Sequence, residues 1–516
     1  MTSRALARGV FHAFALVSAA VCLYSMRRAD PDLWGYLAAG RLFLEHGGLT
    51  AHDPFAYTST GLQWVTFEYG AHIALWLSYR IAGPLGLIAL KCLLGGVALY
   101  FVAAAMRATT RNPHVWVPVF VLCASTISRF FLFRPQLFTF AFFALFVAVL
   151  FRFLLERRAP LWVLPAVMLV WANTHGGFVA GLGAVGLAIA LRASENLSGE
   201  HRTVRALMAG TKALWITLGG CFAVTFINPM GARLWGYVLT ELTHGTNRRY
   251  TVEWGPASLY TDAWSAIALT LITAMLAGVA WFARKGVNAA APQPVFWALT
   301  CVPLIAMAYL SVRHVPIAAI WVGPVIALLA SRAVVSVGDS VAFRRMWFGL
   351  RGLAVLPACL TFAFVLAQPR AAISAGGTVL GSRHPCGAVA FLSANHVAGN
   401  VFNPLWWGSY ITWELYPAVR VSMDGRNISL FPDRMVVENF DFYLKDAAAV
   451  DADAPLRYDT GLLLIPIDSP VLSRIETDGR WRQAFRDDDS ALFVRAGAEY
   501  RSAFNLRGSS CAAVLQ

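Results

Sequence analysis

Charged residues are scarce in this chain of 516 residues. They make up 14% of it, against about 25% in ordinary soluble domains, whereas hydrophobic residues make up 58%. Acidic residues are rarer than basic ones. Residues 1–368 hold 12 Asp and Glu and 28 Lys and Arg, whereas residues 369–516 hold 16 Asp and Glu and 14 Lys and Arg. This composition excludes an ordinary soluble protein. We interpret the basic excess of the apolar region as loop charge at a lipid surface, and we expect membrane lipids and no nucleic acid as partners.

Motifs of several catalytic classes are also missing. The sequence has no glycine-rich phosphate loop, no nucleophile elbow, no zinc-type spacing of Cys and His, and no internal repeat. Six cysteines lie apart from one another in apolar segments, as small core residues do: Cys22, Cys92, Cys123, Cys221, Cys301 and Cys359. Cys386 and Cys511 lie in the tail, where they can pair if the tail is outside the cytoplasm.

Long apolar runs recur from residue 8 to residue 367. Window hydropathy predicts about eleven membrane spans, near residues 9–25, 85–106, 115–128, 136–154, 161–174, 177–192, 213–228, 264–282, 294–311, 315–331 and 349–368. We expect the first to be an uncleaved signal anchor and residues 69–82 to form a short interfacial or re-entrant helix. The sequence therefore predicts a polytopic α-helical membrane domain over residues 1–368, with a first outer loop at residues 26–70.

The distribution of basic residues gives an orientation. With the N-terminus inside, the inner connections hold 17 Lys and Arg and the outer ones hold nine. Every unusual polar cluster then falls on the outer face, together with the tail, while the span centres are nearly free of charge. A transporter should instead show polar residues within spans and on both faces. The pattern indicates an active site at the outer membrane surface.

Residues 369–516 have the pattern of a small α/β domain. Apolar runs of strand length at residues 401–404, 418–423 and 462–467 alternate with helical patterns at 435–444 and 471–476. Residues 481–495 resemble a hairpin whose turn is Asp487–Asp489. We therefore expect a soluble domain outside the cytoplasm.

Carboxylates concentrate in the first outer loop. Five of the twelve acids before residue 369 lie there: Asp30, Asp32, Glu45, Asp53 and Glu68. Such groups are expensive near a bilayer and mark chemistry, ion paths or pairing. Asp30 and Asp32 flank one proline, so one can act as a general base and the other as a hydrogen-bond partner or a ligand of Mg²⁺ or Mn²⁺. The alternative is structural, with Asp32 capping the helix that follows and Asp53 starting a turn.

Three cations at span ends are candidates for binding a phosphate. They are Arg134, His175 and Arg313; the alternatives are snorkelling anchors for the arginines and a tight interhelical turn around the histidine. Four further residues are weaker candidates for substrate contact, and each also suits a loop, a turn or aromatic packing: Glu253, Trp407, Asp424 and Arg426.

Several of these runs resemble the GT-C superfamily of polytopic glycosyltransferases, and more narrowly the bacterial membrane proteins similar to ArnT/PMT-type transferases. The runs are Asp30 to Gly40, Asp53 to Thr58, Trp171 to Gly176, Asn228 to Gly231 and Trp407 to Arg426. The resemblance extends over the whole chain, through the acidic first loop, the ten or so spans and the C-terminal domain. Here a proline separates Asp30 from Asp32, whereas many members have an adjacent acidic pair.

The resemblance implies a glycosyltransferase that uses a polyprenyl-phosphate sugar. Asp32 or Asp30 would be the base, Asp53 and Glu68 secondary acids, and Arg313, Arg134 and His175 the phosphate site. We expect inverting transfer of a hexose or pentose to a hydroxyl of a glycan, lipid or protein, on the periplasmic face of a bacterial inner membrane. The alternatives are a non-catalytic scaffold or lipid-glycan transporter, and transfer of another group such as phosphoethanolamine.

Overall fold

The computed structural model describes residues 3–23, 30–195, 208, 210–243, 249–285, 293–337, 340–367, 384–426 and 430–497. The helices in chain order are α1 Ser3–Leu23, α2 Leu33–Glu45, α3 Tyr69–Thr109, α4 Pro113–Ser128, α5 Gln136–Glu156, α6 Val163–Ala172, α7 Phe178–Ser194, α8 Lys212–Val224, α9 Arg233–Thr243, α10 Leu259–Lys285, α11 Gln293–Leu299, α12 Cys301–Leu310, α13 Val315–Val337, α14 Val341–Ala367, α15 Cys386–Ala394, α16 Leu405–Leu415, α17 Asp433–Leu444 and α18 Leu472–Glu476. The strands are β1 Gly399–Phe402, β2 Val419–Val421, β3 Leu462–Pro466, β4 Trp481–Arg486 and β5 Ser490–Arg495.

A helix lies at each of the eleven predicted spans, and the run at 294–311 is divided into α11 and α12. Among the described residues, four helices are long and apolar enough to cross a membrane: α3, α5, α10 and α13. Other apolar helices of this set have 10–17 residues. The helical membrane character is therefore confirmed, while the count of eleven spans stays a prediction.

Local chemistry sets several helix ends. Asn112 accepts a hydrogen bond from the N–H of His114 at the start of α4, where Pro113 takes the first helical position. Inside α3 the helical geometry breaks at Ala82 and at Gly83, whose φ of +55° suits glycine. Residues 69–81, before this break, form a separate helical segment, as the short apolar run predicts. That this segment lies at the membrane interface stays a prediction.

The chain divides into two compact units, and each is described by itself. We call residues 1–27, 85–234 and 251–377 the helical unit, and residues 28–84, 235–250 and 378–516 the mixed unit. The sequence predicted two domains that are continuous in the chain, and it placed the first outer loop in the same domain as the membrane spans. In the structure that loop packs with the tail, because hydrogen bonds and ion pairs over more than 350 residues of sequence join the two.

The mixed unit is built on a five-stranded sheet of order β2-β1-β3-β5-β4. β1 pairs in parallel with β2 and β3, and β5 pairs antiparallel with β3 and β4. β3 is buried along its whole length, as its apolar sequence predicts. The predicted strands, the helices α17 and α18, and the hairpin with its turn at 487–489 are all present.

The first outer loop extends this sheet at the edge of β2. The N–H of Tyr57 donates to the carbonyl of Val421 (3.0 Å), and the N–H of Val421 donates to the carbonyl of Phe55 (3.2 Å). The hydroxyl of Tyr57 also bonds to that of Thr460 at 2.7 Å. The loop thus satisfies backbone groups that an open sheet edge leaves unpaired.

Cys386, the first residue of α15, is disulfide-bonded. Cys511, the partner that the sequence suggests for it, lies outside the described residues.

Candidate functional site

Arg426 is the centre of a buried ion-pair cluster in the mixed unit. Its NH2 group donates to Oδ1 of Asp53 at 2.9 Å and to Oδ2 of Asp424 at 2.7 Å, and its Nε donates to both Asp424 oxygens at 2.9 Å. These three side chains are at most 1% exposed. Burial by itself lowers the pKa of Arg426, but Asp424 and Asp53 together raise it above its ordinary value. The guanidinium therefore stays charged between the rings of Phe55 and Trp64, whose centroids lie 4.5 and 4.6 Å away.

Asp53 also stabilises the turn of the loop to which it belongs. It accepts the N–H groups of Phe55 (3.1 Å) and Ala56 (3.2 Å) and the hydroxyl of Ser59 (2.7 Å). The predicted turn at Asp53 is therefore present. A carboxylate engaged by four donors and closed to solvent suits positioning better than proton transfer. Its role as a secondary acid, and substrate contact by Asp424 and Arg426, stay predictions; the geometry favours a structural clamp.

The two leading acids lie at the start of α2. Asp30 is 8% exposed, and its Oδ1 accepts the N–H of Asp32 at 3.0 Å. Asp32 is partly exposed and sits at the N-cap position of α2, yet its side chain makes no capping bond. Its carboxylate instead lies against the turn of the tail: a Cβ added to Gly425 would be 1.7 Å from Oδ1 of Asp32. The capping alternative is thus absent, and the tail sets the position of this carboxylate.

Two other candidates in this unit are Glu68 and Trp407. Oε2 of Glu68 is 3.9 Å from Nε2 of His72, and the backbone carbonyl of Glu68 accepts two N–H groups at the start of α3. Trp407 is 2% exposed in the interior, next to Gly408, which contacts the carbonyl of Met423 so closely that a Cβ would be 1.8 Å from it. Burial of Trp407 favours packing over stacking on a sugar.

A metal site at Asp30 and Asp32 has little geometric support. Within the described ranges, no three His, Cys, Asp or Glu side chains come together as a cation would require. One Asp30 oxygen is already engaged with a backbone N–H. Dependence on Mg²⁺ or Mn²⁺ stays a prediction, and no step below uses a metal.

In the helical unit, two of the residues predicted to bind a phosphate, His175 and Arg313, lie next to each other. Nε2 of His175 is 3.4 Å from NH2 of Arg313, and the ring of Trp254 lies 5.0 Å from the Arg313 guanidinium. His175 belongs to the turn between α6 and α7, while Arg313 belongs to the turn Val312–His314 before α13. Burial, and then the charge of Arg313, place the pKa of His175 well below its ordinary value, so the imidazole is neutral.

The partners of Nδ1 decide which nitrogen of His175 carries the proton. Nδ1 accepts the N–H of Gly177 at 2.9 Å and lies 2.8 Å from Oγ1 of Thr139. That oxygen also accepts Nε1–H of Trp171 at 2.8 Å. Because Nδ1 accepts a backbone N–H it carries no proton, so the Thr139 hydroxyl donates to it. The proton of the neutral ring therefore lies on Nε2. Nε2–H and the Arg313 guanidinium are both donors, so an acceptor oxygen placed at both receives two hydrogen bonds.

Arg134 and Glu253, also predicted site residues, form an ion pair with each other. Glu253 precedes Trp254, and its carbonyl accepts the hydroxyl of Ser311 at 3.0 Å, so this pair borders the turn that carries Arg313. A phosphate bound at Arg134 has to compete with this carboxylate. The structure thus favours Arg313 and His175 over Arg134 as phosphate ligands.

Three participants were missed from the sequence. Thr139 is a single hydroxyl in an apolar helix, 36 residues from the histidine that it orients. From the sequence alone, Gly425 is expected to be part of a turn and Ser59 to be an ordinary loop residue. No sequence spacing connects them to their partners, although Gly425 and Trp171 each lie in a run that the resemblance had singled out.

No protein-family model matches the chain, and no curated protein matches it. Solved structures do. The oligosaccharyltransferase of Archaeoglobus fulgidus with a tethered acceptor peptide aligns with a TM-score of 0.56 and 10% identity, covering 94% of this chain and 74% of that one. The same enzyme with an inhibitory peptide and a dolichol-phosphate aligns at 0.54 and 11%, covering 96% and 75%.

Two further enzymes share the fold. ArnT from Cupriavidus metallidurans in the apo state aligns with a TM-score of 0.50 and 13% identity, covering 95% of this chain and 98% of that one. The mycobacterial arabinofuranosyltransferase AftD aligns at 0.52 and 13%, covering 94% and 41%. The chain is thus a multi-pass membrane protein with a small C-terminal sheet. Its fold is shared with these solved glycosyltransferases, as the sequence resemblance to the GT-C superfamily implied.

Proposed function

We propose that this protein is a glycosyltransferase that moves a sugar from a polyprenyl-phosphate donor to a hydroxyl of a glycan, lipid or protein. The observation that carries the proposal is the pair of donors at His175 and Arg313, which suits a phosphate oxygen. The fold supports it, because the oligosaccharyltransferase neighbour was solved with a dolichol-phosphate.

The proposed reaction is a single displacement. A first-loop carboxylate, Asp32 or Asp30, takes the proton of the acceptor hydroxyl as its oxygen attacks C1 of the sugar. The bond from C1 to the phosphate oxygen breaks, and the polyprenyl phosphate leaves with the electron pair. His175 and Arg313 stabilise the charge that develops on the leaving phosphate. Attack opposite the leaving group inverts the anomeric configuration, and hexoses or pentoses are the expected sugars.

We place the reaction at the periplasmic face of a bacterial inner membrane. Basic residues concentrate in the connections that the sequence assigns to the inner side. The acidic loop and the tail then both lie outside the cytoplasm, where lipid-linked donors serve envelope glycans.

Neutral replacements of the two acids test the mechanism. We expect Asp32→Asn to abolish sugar transfer while expression and the melting midpoint stay unchanged, because asparagine keeps the size of the side chain and Asp32 is partly exposed. The measurement compares labelled lipid-linked sugar pools in intact cells that carry the wild type, D32N, D30N or no protein. Full activity of both variants would disprove the carboxylate mechanism, and unchanged pools in the deletion strain would disprove the function.

A further inference from the structure

The helical unit contains a cavity at the end of α13 that is remote from Arg313. It has a volume of about 580 Å³ and is lined by Val334 of α13 and by seven residues of α14: Phe343, Arg344, Arg345, Trp347, Phe348, Gly349 and Arg351. Val334 belongs to the last turn of α13, whereas Arg313 immediately precedes its first turn. The 23 residues of α13 span about 34 Å, which is close to the hydrocarbon thickness of a bilayer. The cavity therefore lies at the opposite membrane face from His175 and Arg313.

The walls of this cavity combine three positive charges with apolar rings. Arg344 and Arg345 are exposed, and the guanidinium of Arg351 lies 5.5 Å from the ring of Phe348. Phe348 is itself 73% exposed, although it is one of the larger apolar side chains. Trp347 is buried and makes the inner wall. Such a surface offers cations for an anionic group and an apolar face for hydrocarbon next to it.

No carboxylate neutralises these arginines within the described ranges. Other arginines of the helical unit are paired at this end: Arg152 with Glu156 at 2.9 Å, and Arg157 with Glu195 at 2.7 Å. Arg351 in addition has a buried Nε atom without a hydrogen-bond partner. Buried donors are normally satisfied, and a basic, partly apolar recess with an unsatisfied donor suits an anionic ligand that brings its own hydrocarbon.

We propose that this cavity binds the headgroup of an anionic phospholipid. The arginines hold the phosphodiester and its negative charge, while Phe348 and Val334 contact the glycerol and the first acyl carbons. Simple interfacial anchoring needs neither a recess nor a buried donor, whereas a bound headgroup uses both. This site is independent of the proposed transferase reaction.

Native mass spectrometry of the detergent-purified, full-length protein tests the proposal. The probes are palmitoyl-oleoyl phosphatidylglycerol and its zwitterionic phosphatidylcholine counterpart, each titrated into the wild type. We expect phosphatidylglycerol to bind preferentially and R344Q/R345Q/R351Q to lose about 10²-fold in affinity for it. R344Q/R345Q changes only exposed side chains and should lose a smaller but clear fraction of that affinity.

The matched control is R107Q/R111Q/R284Q, which removes the same charge from three exposed arginines at helix ends outside the cavity. We expect this control to bind phosphatidylglycerol as the wild type does. Equal binding of the two lipids, or equal losses in the control and the cavity variants, would overturn the proposal. So would displacement of the lipid by millimolar inorganic phosphate, since that would make the site one for free phosphate.

Discussion

At the scale of single residues, the position of Asp32 depends on a glycine 393 residues further along the chain. The carboxylate lies where a side chain at residue 425 would be, with only 1.7 Å between Oδ1 and an added Cβ. Gly425 is thus required for the close approach of Asp32, and its backbone φ is not in the left-handed region. A methyl group there must displace the carboxylate without straining the turn.

We therefore expect Gly425→Ala to lower kcat by about 10²-fold, since a shift near 1 Å at a reacting group costs that much. The control is Gly479→Ala, where an added Cβ meets nothing within 4 Å. Steady-state kinetics of the wild type, G425A and G479A measure this loss. A wild-type kcat in G425A would show that Asp32 does not act through this contact.

The hydroxyl of Thr139 is expected to matter through the histidine that it orients. Thr139→Val removes one of two hydrogen bonds to Nδ1 of His175 while keeping the side-chain volume. A neutral hydrogen bond contributes about 0.5–1.5 kcal/mol, so we expect the KM for the lipid-linked donor to rise about 2- to 10-fold. Thr139→Ser retains the hydroxyl and should behave as the wild type. Equal KM values in T139V and T139S would exclude this role.

At the scale of elements, the clamp of Asp53, Asp424 and Arg426 joins the first outer loop to the end of β2. Arg426→Ala leaves two carboxylates buried without their cation, and the loss of one partner of a buried pair costs about 3–5 kcal/mol. We expect a lower thermal midpoint of the purified protein. Arg480→Ala removes ion pairs of a half-exposed arginine with Asp478 and Asp453 and should change the midpoint little. Equal midpoints for R426A and the wild type would mean that the clamp is not structural.

Elements with strong local patterns could be predicted, and contacts between distant segments could not. The strand Leu462–Pro466 and the hairpin of β4 and β5 follow from apolar runs and turn residues. The break at Gly83 likewise follows a short apolar run before a proline. The clamp could not be predicted, because Asp53 and Arg426 are 373 residues apart and the sequence around each indicates only a turn. The proton position on His175 depends on three partners from two helices and a turn, which no spacing reveals.

At the scale of the whole molecule, the chain shares its fold with solved membrane glycosyltransferases, and its orientation in the membrane stays a prediction. We expect a periplasm-dependent reporter such as alkaline phosphatase to be active when fused after residue 497 and inactive when fused after Arg157. The reason is the excess of basic residues in connections assigned to the inner side. Activity of the Arg157 fusion and silence of the later one would reverse the orientation. Activity of both would contradict the predicted topology.

The clamp also has a consequence for biogenesis. Asp53 leaves the ribosome 373 residues before the arginine that neutralises it, which at about 5–20 residues per second is a delay of roughly 20–75 s. Until then the loop that carries Asp32 has neither the guanidinium nor the edge of β2 to hold it. A chain that terminates before Arg426 therefore cannot form the clamp, and the loop that carries Asp32 then lacks its contacts to the tail.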